Sequence, residues 1–151
     1  MEMIPNELVP ELSVRSLSTS LNFYINILGF TIAYQRVNEG FAYIVLNNVQ
    51  IMLDELDNGR DWKTGELEFP LGRGINFQIK VETIEPILAR LKSFNKAVFM
   101  DVESKWYRKN NIEIGNRQFL VQDPDGYLLR LTEDLGSRTI VDNNELLSIN
   151  H

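Results

Sequence analysis

Cysteine is absent from this chain of 151 residues, and histidine occurs once, as the last residue, His151. Without cysteine the chain cannot form disulfides, zinc–thiolate sites or iron–sulfur clusters, and it has no thiol nucleophile. A single histidine also excludes metal sites that draw two histidines from one chain. No apolar run approaches the roughly 20 residues of a membrane span. The remaining chemistry rests on carboxylates, amides, arginines and aromatic rings.

Basic residues are also few: 15 lysines and arginines stand against 21 acidic residues, and the net charge is −6. A nucleic-acid-binding protein would show a basic stripe, so the composition argues against that class. Negative charge attracts a cationic ligand or partner, although it also serves solubility alone. The start of the chain is unlike a signal peptide. We therefore expect a cytoplasmic protein with no nucleic-acid or membrane partner.

The first third of the chain has the pattern of one strand, one helix and three strands. The strands are predicted over 9–15, 30–37, 41–46 and 49–55. Apolar residues between Leu17 and Leu28 recur at helical spacing, Ser16 or Ser18 is suited to cap the helix, and Gly29 is suited to end it. Asn47–Asn48 predicts a tight hairpin turn, since Asn tolerates positive φ.

The same order of elements then restarts after a loop. Strands are predicted over 75–81, 97–100, 118–122 and 127–132, and the helix between the first two is expected to be capped by Thr83. These patterns divide the chain into a first module at 1–57, a linker at 58–72, a second module at 73–135 and a polar C-terminal tail at 136–151. The prediction is an α+β fold of two tandem βαβββ modules within one structural domain.

Register arithmetic supports this duplication. A shift of 67 positions lays Val14 on Val81 and Leu21 on Leu88, whereas a shift of 78 lays Met52 on Arg130. The second module therefore holds extra residues before its last hairpin, within 101–116. We expect this stretch to be a long loop, either functional or merely a solvated flap.

Several short motifs resemble one known superfamily. They are Leu12–Leu17, Asn22–Phe23–Tyr24, Leu28–Gly29–Phe30, Arg117–Gln118–Phe119 and Asp123–Arg130. Over about residues 8 to 135 the chain resembles the vicinal-oxygen-chelate superfamily, which contains glyoxalase I, extradiol dioxygenases, and fosfomycin- and bleomycin-resistance proteins. The resemblance is greatest to the bleomycin-resistance-like proteins, and it implies a cupped mixed sheet around a cleft.

In the metalloenzymes of that superfamily, four inward positions supply the metal ligands. By resemblance these positions fall on Val9, Met52, Asn76 and Arg130. Valine offers no donor atom, and a thioether is poorly suited to Mg, Mn or Fe. Asn76 alone is a weak oxygen donor, and Arg130 would put a permanent positive charge where the cation should sit. We therefore expect no catalytic metal and no cofactor.

Bleomycin-resistance proteins are, by resemblance, acidic homodimers that bind the drug between subunits without altering it. Their clefts combine aromatic stacking with acidic groups near the cationic tail. We accordingly expect a metal-independent antibiotic-resistance protein that sequesters a flat or cationic antibiotic-like ligand. The candidate ligand-binding residues are Phe41, Met52, Asn76, Trp106, Tyr107, Arg108 and Arg130. The family's tryptophan before the "DP" turn is missing, because Ile114 and Gly115 hold those positions.

Two alternatives stay open. One is a metal-free enzyme for a small organic acid or carbonyl compound, in which Arg130 would orient the anion and Glu55, Glu113 or Tyr107 would act as acid or base. The other is a structural dimer whose own side chains fill the cleft. Dimerisation itself follows from the resemblance, and gel filtration at the mass of one 17.5 kDa chain would argue against it.

Overall fold

The computed structural model describes residues 3–59 and 62–140 and contains eight strands and two main helices in that part. The first module comprises β1 (Glu11–Val14), α1 (Leu17–Leu21), β2 (Thr31–Arg36), β3 (Phe41–Leu46) and β4 (Val49–Glu55). The second comprises β5 (Asn76–Val81), α2 (Glu85–Ser93), β6 (Met100–Lys109), β7 (Ile112–Gln122) and β8 (Leu128–Thr139). This order confirms the predicted α+β class with two βαβββ modules.

Each module forms one four-stranded mixed sheet with the same topology. The strand orders are β1-β4-β3-β2 and β5-β8-β7-β6. In both sheets the first strand runs parallel to the last strand of the module, and the other neighbours are antiparallel. The predicted hairpin at Asn47–Asn48 joins β3 to β4, and Asn47 adopts a φ of 53°.

Both modules contribute to one hydrophobic core. Leu12 and Val14 alternate into it from β1, and Leu129 and Leu131 do so from β8. Because side chains on a strand alternate between two faces, every second residue of these strands is turned away from the core. The opposite face of each sheet is thereby left for other contacts.

The helix of the first module changes its winding after one turn. Ser16 caps α1 as predicted, since its hydroxyl accepts a hydrogen bond from Thr19 N at 3.3 Å. Residues Asn22–Leu28 continue as a π-helix, and Gly29 ends it with a φ of 95°. The wider turn leaves Phe23, Tyr24, Ile27 and Leu28 buried. Thr83 contributes to the start of the second helix as expected, because its hydroxyl accepts a hydrogen bond from Glu85 N at 3.4 Å, although the N-cap position itself is Ile84.

The predicted long loop at 101–116 is wrong. These residues instead extend β6 and β7, which pair from Met100↔Leu120 to Lys109↔Ile112. The expected tail boundary at 136 is also too early, because β8 continues to Thr139 and pairs with β7 there. The strands here are mostly exposed and carry polar side chains, so the sequence lacks the alternation of apolar residues that would have predicted them. The remainder of the expected tail, 141–151, lies outside the described residues.

The turn Asp123–Gly126 joins the two modules. Asp125 Oδ1 accepts hydrogen bonds from Arg15 N at 3.0 Å and Arg15 Nε at 2.9 Å, and its Oδ2 accepts one from the hydroxyl of Ser20 at 3.3 Å. Gly126 has a φ of 94°, and a Cβ at this position would lie 2.5 Å from Pro70 Cα. Glycine is therefore required there both by conformation and by the close approach of the linker.

A second carboxylate of this turn, Asp123, lies beneath the first helix. Its Oδ2 accepts a hydrogen bond from the hydroxyl of Tyr24 at 2.7 Å, and its Oδ1 accepts bonds from the backbone N–H groups of Asp125 and Tyr127. Burial raises the pKa of Asp123 to about 6, although these hydrogen bonds oppose the rise. The junction therefore contains a carboxyl group that is harder to ionise in the folded chain than in the unfolded one.

This raised pKa predicts a specific pH dependence of stability. Between about pH 4 and pH 6 the unfolded chain ionises Asp123 while the folded chain still holds the proton, so the free energy of unfolding falls as the pH rises. A shift of about two pKa units corresponds to at most about 3 kcal/mol. In Asp123→Asn the group cannot ionise, so this contribution should vanish. Urea unfolding of both proteins at pH 4.5, 5.5 and 6.5 measures it.

The difference between wild type and Asp123→Asn cancels the titration of the other groups. We expect the free energy of unfolding of the wild type, relative to the variant, to fall with rising pH across this window. A difference that is constant or rises with pH would contradict the raised pKa.

Candidate ligand-binding site

The face of the first sheet that points away from the core contains an open hollow, the first-sheet depression. Its volume is about 440 Å³. It is lined by Glu11, Tyr34, Arg36, Glu39, Phe41, Met52, Asp54, Asn58 and Gly59. The cross-strand pairs Glu11↔Met52 and Phe41↔Asp54 bring these residues together. Sheet register therefore assembles the hollow from four strands and the loop after β4.

Aromatic rings form one wall of this depression. Tyr34 stacks on Tyr43 with ring centroids 5.2 Å apart and an interplanar angle of 21°. Tyr34 also lies 5.9 Å from Phe41 at a tilt of 35°. The hydroxyl of Tyr43 donates a hydrogen bond to Gln50 Oε1 at 2.5 Å, which holds that ring in place. The wall is thus a rigid apolar surface suited to stacking.

The guanidinium group of Arg36 covers the ring of Phe41. Arg36 Cζ lies 4.0 Å from the centroid of Phe41 and 5.9 Å from that of Tyr34. Arg36 Nε donates a hydrogen bond to Glu39 Oε2 at 2.5 Å, and this bond raises the pKa of Arg36. Phe41 is consequently 5% exposed. The protein's own planar cation, the guanidinium of Arg36, is therefore held on this surface by an aromatic ring and a carboxylate.

Among the described residues, those that line the first-sheet depression have a negative net charge. Glu11, Glu39 and Asp54 are acidic, whereas Arg36 is basic. Open hollows lined by one sign of charge concentrate ligands of the opposite sign. The electrostatics of this face therefore favour a cation.

The second sheet has a corresponding hollow, the second-sheet depression, of about 360 Å³. It is lined by Gln78, Lys80, Tyr107, Ile114, Asn116, Arg130 and Asp134. Arg130 Nη2 donates to Gln78 Oε1 at 2.7 Å, and Lys80 Nζ pairs with Asp134 Oδ2 at 3.3 Å. Its lining carries two basic groups, Lys80 and Arg130, against one acidic group, Asp134, unlike the aromatic and acidic surface of the first sheet.

The residues proposed from the sequence divide between these two hollows. Phe41 and Met52 line the first-sheet depression, and Tyr107 and Arg130 line the second. Asn76 begins β5 and is exposed, outside both linings. The structure therefore does not bring the seven proposed residues together into one pocket of the single chain.

Strand alternation separates the three residues that were expected to act together in a loop. Tyr107 faces the second-sheet depression, so its neighbours Trp106 and Arg108 point to the other side of the sheet. Trp106 packs there under the guanidinium of Arg138, with Arg138 Cζ 4.1 Å from its ring, and Arg108 Nε donates to the backbone oxygen of Asn110 at 3.1 Å.

Sequence reasoning missed the residues that make the first-sheet depression distinctive. Tyr34 and Arg36 lie two positions apart on β2, on the face that also holds Phe41 of β3. The alternation of predicted strands β2 and β3 could have placed them on one face. The pairing of Arg36 with Glu39 across a short 3₁₀ turn, Val37–Glu39, carries no comparable signal.

The positions that correspond to metal ligands do not fit a metal ion. Met52 lines the first-sheet depression, Arg130 binds Gln78 in the second, and neither provides a hard oxygen ligand. Within residues 3–59 and 62–140 there is no group of three or more His, Cys, Asp or Glu side chains that could hold a metal ion.

Two mixed βαβββ sheets with open outer faces define the class of protein. The model of the glyoxalase/bleomycin resistance protein/dioxygenase superfamily matches residues 8–131, and the chain belongs to this superfamily. A bleomycin resistance protein from Geobacillus stearothermophilus is 25% identical over 138 residues, which are 85% of this chain and 97% of that protein.

Two solved structures extend the comparison. A superfamily member from Vibrio splendidus 12B01 is 37% identical over 83% of this chain and 95% of its own, with a TM-score of 0.39. The bleomycin resistance determinant encoded on the transposon Tn5 has a TM-score of 0.54 at 18% identity, over 87% of this chain and 99% of its own. The second likeness is one of fold. In the described part of the chain, no helix has the length and apolar character needed to cross a membrane.

A buried threonine of β8 predicts a stabilising substitution. Thr132 is 1% exposed, and its hydroxyl has no hydrogen-bond partner among the described residues. Thr132→Val removes this buried polar group at nearly constant shape, so the free energy of unfolding should rise by about 1 kcal/mol. Urea unfolding measures the change.

Thr31→Val on the exposed edge strand β2 is the matched control, because it makes the same substitution without burial. Its effect should stay within about 0.5 kcal/mol. Loss of stability in Thr132→Val would show that the buried hydroxyl is satisfied in solution.

Proposed function

We propose that this protein binds a flat, cationic small molecule in the first-sheet depression and releases it unaltered. The observation that carries the proposal is the guanidinium of Arg36, which stacks 4.0 Å from the centroid of Phe41 and pairs with Glu39. A group that is planar and positively charged already fits this surface. A ligand with the same chemistry would make the same two contacts.

The charge and shape of the depression support this ligand class. Glu11 adds negative charge beside Glu39, so a cation gains attraction on entering, while an anion is repelled. Tyr34 and Met52 extend the apolar surface around Phe41. Flat aromatic groups gain about 1 kcal/mol from stacking beyond their area burial. Bleomycin is the first ligand to test, because the relatives described above are named bleomycin resistance proteins.

A metal-free enzyme remains the second candidate, and Arg130 is the residue that favours it. Arg130 lines the second-sheet depression, where its positive charge attracts an anionic substrate, and its buried Nε has no hydrogen-bond partner among the described residues. Of the proposed acid–base groups, Tyr107 lines the same depression, whereas Glu113 pairs with Arg138 at 2.7 Å beside Trp106 on the opposite side. Only Tyr107 of these two groups therefore lies near Arg130. A reaction that needs both a general acid and a general base would lack one of them here.

Three further expectations stay predictions: a homodimer with the cleft between two copies, a cytoplasmic location and a role in antibiotic resistance. A homodimer would suit the opposite electrostatics of the two depressions, since an acidic face of one copy could meet a basic face of the other. The alternative of a structural dimer without ligand would require the first-sheet depression to be filled by the protein itself.

Calorimetric titration with metal-free bleomycin tests the proposal. We expect saturable binding at about one site per chain with sub-micromolar affinity, and recovery of intact drug by mass spectrometry. Phe41→Leu keeps an apolar side chain but loses the flat ring, so it should weaken binding by about tenfold. The affinity constants of the two proteins give the comparison.

Phe99→Leu is the matched control, because Phe99 is 62% exposed and lines neither depression. Its affinity should equal that of the wild type. No heat with the wild type at tens of micromolar would exclude bleomycin, and an equal loss in both variants would exclude the Phe41 surface as the site.

A further inference from the structure

We propose that Arg36 is a built-in competitor that occupies the place of the ligand, and that the site therefore selects aromatic cations whose charge is itself planar, such as amidinium or guanidinium groups. This inference rests on the proposed function. Arg36 then determines specificity, since a ligand binds the aromatic wall only if it displaces this side chain.

The first step of the argument is that the Phe41 ring is not free. It is 5% exposed although it lines an open depression, and the guanidinium of Arg36 lies over its face at 4.0 Å. A ligand cannot stack on that face while the guanidinium remains there. Binding must therefore break both the stacking contact and the hydrogen bond from Arg36 Nε to Glu39.

The second step is that Arg36 can leave. The side chains of Arg36 and Glu39 are 48% and 65% exposed, so their ion pair is largely solvated. Such pairs contribute less than about 1 kcal/mol. The backbone between them is better held, because Gly40 N donates to Val37 O at 3.0 Å and Glu55 N donates to Gly40 O at 2.8 Å. The backbone that carries Glu39 thus stays in position when the guanidinium swings out.

The third step concerns which ligands can replace it. An amidinium or guanidinium group can stack flat on an aromatic ring and direct N–H groups at a carboxylate in the same plane. A tetrahedral ammonium group cannot do both equally well. A neutral planar amide lacks the positive charge that Glu39 and Glu11 attract. The contacts of Arg36 therefore indicate a ligand group that is flat, positively charged and able to donate hydrogen bonds in its own plane.

The chain contains a matched control for this arrangement. Arg138 lies 4.1 Å from the ring of Trp106, and its Nε pairs with Glu113 at 2.7 Å. The contacts and the charge resemble those of Arg36, but these residues line neither depression. Arg138→Ala changes the net charge by the same amount as Arg36→Ala while leaving the first-sheet depression intact.

The experiment is a titration with fluorescent 4-aminobenzamidine, with benzamide as the uncharged analogue of similar shape. Wild type, Arg36→Ala, Arg36→Lys and Arg138→Ala are compared. We expect Arg36→Ala to bind the amidine about tenfold more tightly, because a competing contact has been removed. Arg36→Lys keeps the local charge without a flat group and should also bind more tightly. Arg138→Ala should equal the wild type, and benzamide should bind weakly to all four.

Equal or weaker binding of the amidine to Arg36→Ala would overturn the inference while leaving the proposed function intact. A higher affinity for the amidine in Arg36→Ala but not in Arg36→Lys would also overturn the inference, since the loss of local charge would then explain the effect. No binding of bleomycin or the amidine to any of the four proteins would overturn the proposed function together with the inference.

Nuclear magnetic resonance gives a second readout that does not depend on affinity. The ring current of Phe41 should change the chemical shift of the Arg36 Nε–H proton. This chemical shift should return to that of a free arginine as the amidine saturates the site. The Nε–H signal of Arg138 should not move. Saturation without movement of the Arg36 signal would contradict displacement.

Discussion

The docking of the Asp123–Gly126 turn against the first module holds the two halves of this molecule together. Asp125 receives hydrogen bonds from the backbone and side chain of Arg15 and from Ser20, and Asp123 receives one from Tyr24. These bonds satisfy two carboxylates that would otherwise be costly to bury. Because the turn is anchored on the helix side of both sheets, their apolar faces share one core. The outer faces are left to form the two depressions.

The two outer faces have the same topology but different chemistry. Equivalent positions hold Met52 on the first sheet and Arg130 on the second. The first-sheet face is aromatic and acidic, whereas the second carries more basic than acidic groups. Duplication of a module preserves its apolar face because packing demands it, whereas the outer face is free to diverge. The function we propose follows from this divergence, since only the first face combines stacking surface with excess negative charge in the described part of the chain.

Several elements could be predicted because local chemistry determines them. The cap at Ser16, the helix end at Gly29 and the hairpin at Asn47 each follow from the conformational preferences of one or two residues. The ribbon at 101–116 could not be predicted in this way, because its polar residues pair along exposed strands. Its β7 strand also pairs with residues of β8 that lie far along the chain, such as Thr139 opposite Ile112, and local patterns do not report such partners. Of the candidate residues, Phe41 and Met52 were placed on the first sheet, and Tyr34, Arg36 and Glu39 were missed.

The sequence by itself determined the superfamily, the duplicated βαβββ order and the unsuitability of Val9, Met52, Asn76 and Arg130 as a metal site, because motifs and donor atoms are properties of single residues and short segments. Only the tertiary structure decided which side chains meet. It separated Trp106 from Tyr107 on opposite faces of β6, and it placed the guanidinium of Arg36 on the ring of Phe41. Strand register and side-chain rotamers set these contacts, and both depend on packing between segments that lie apart in the chain.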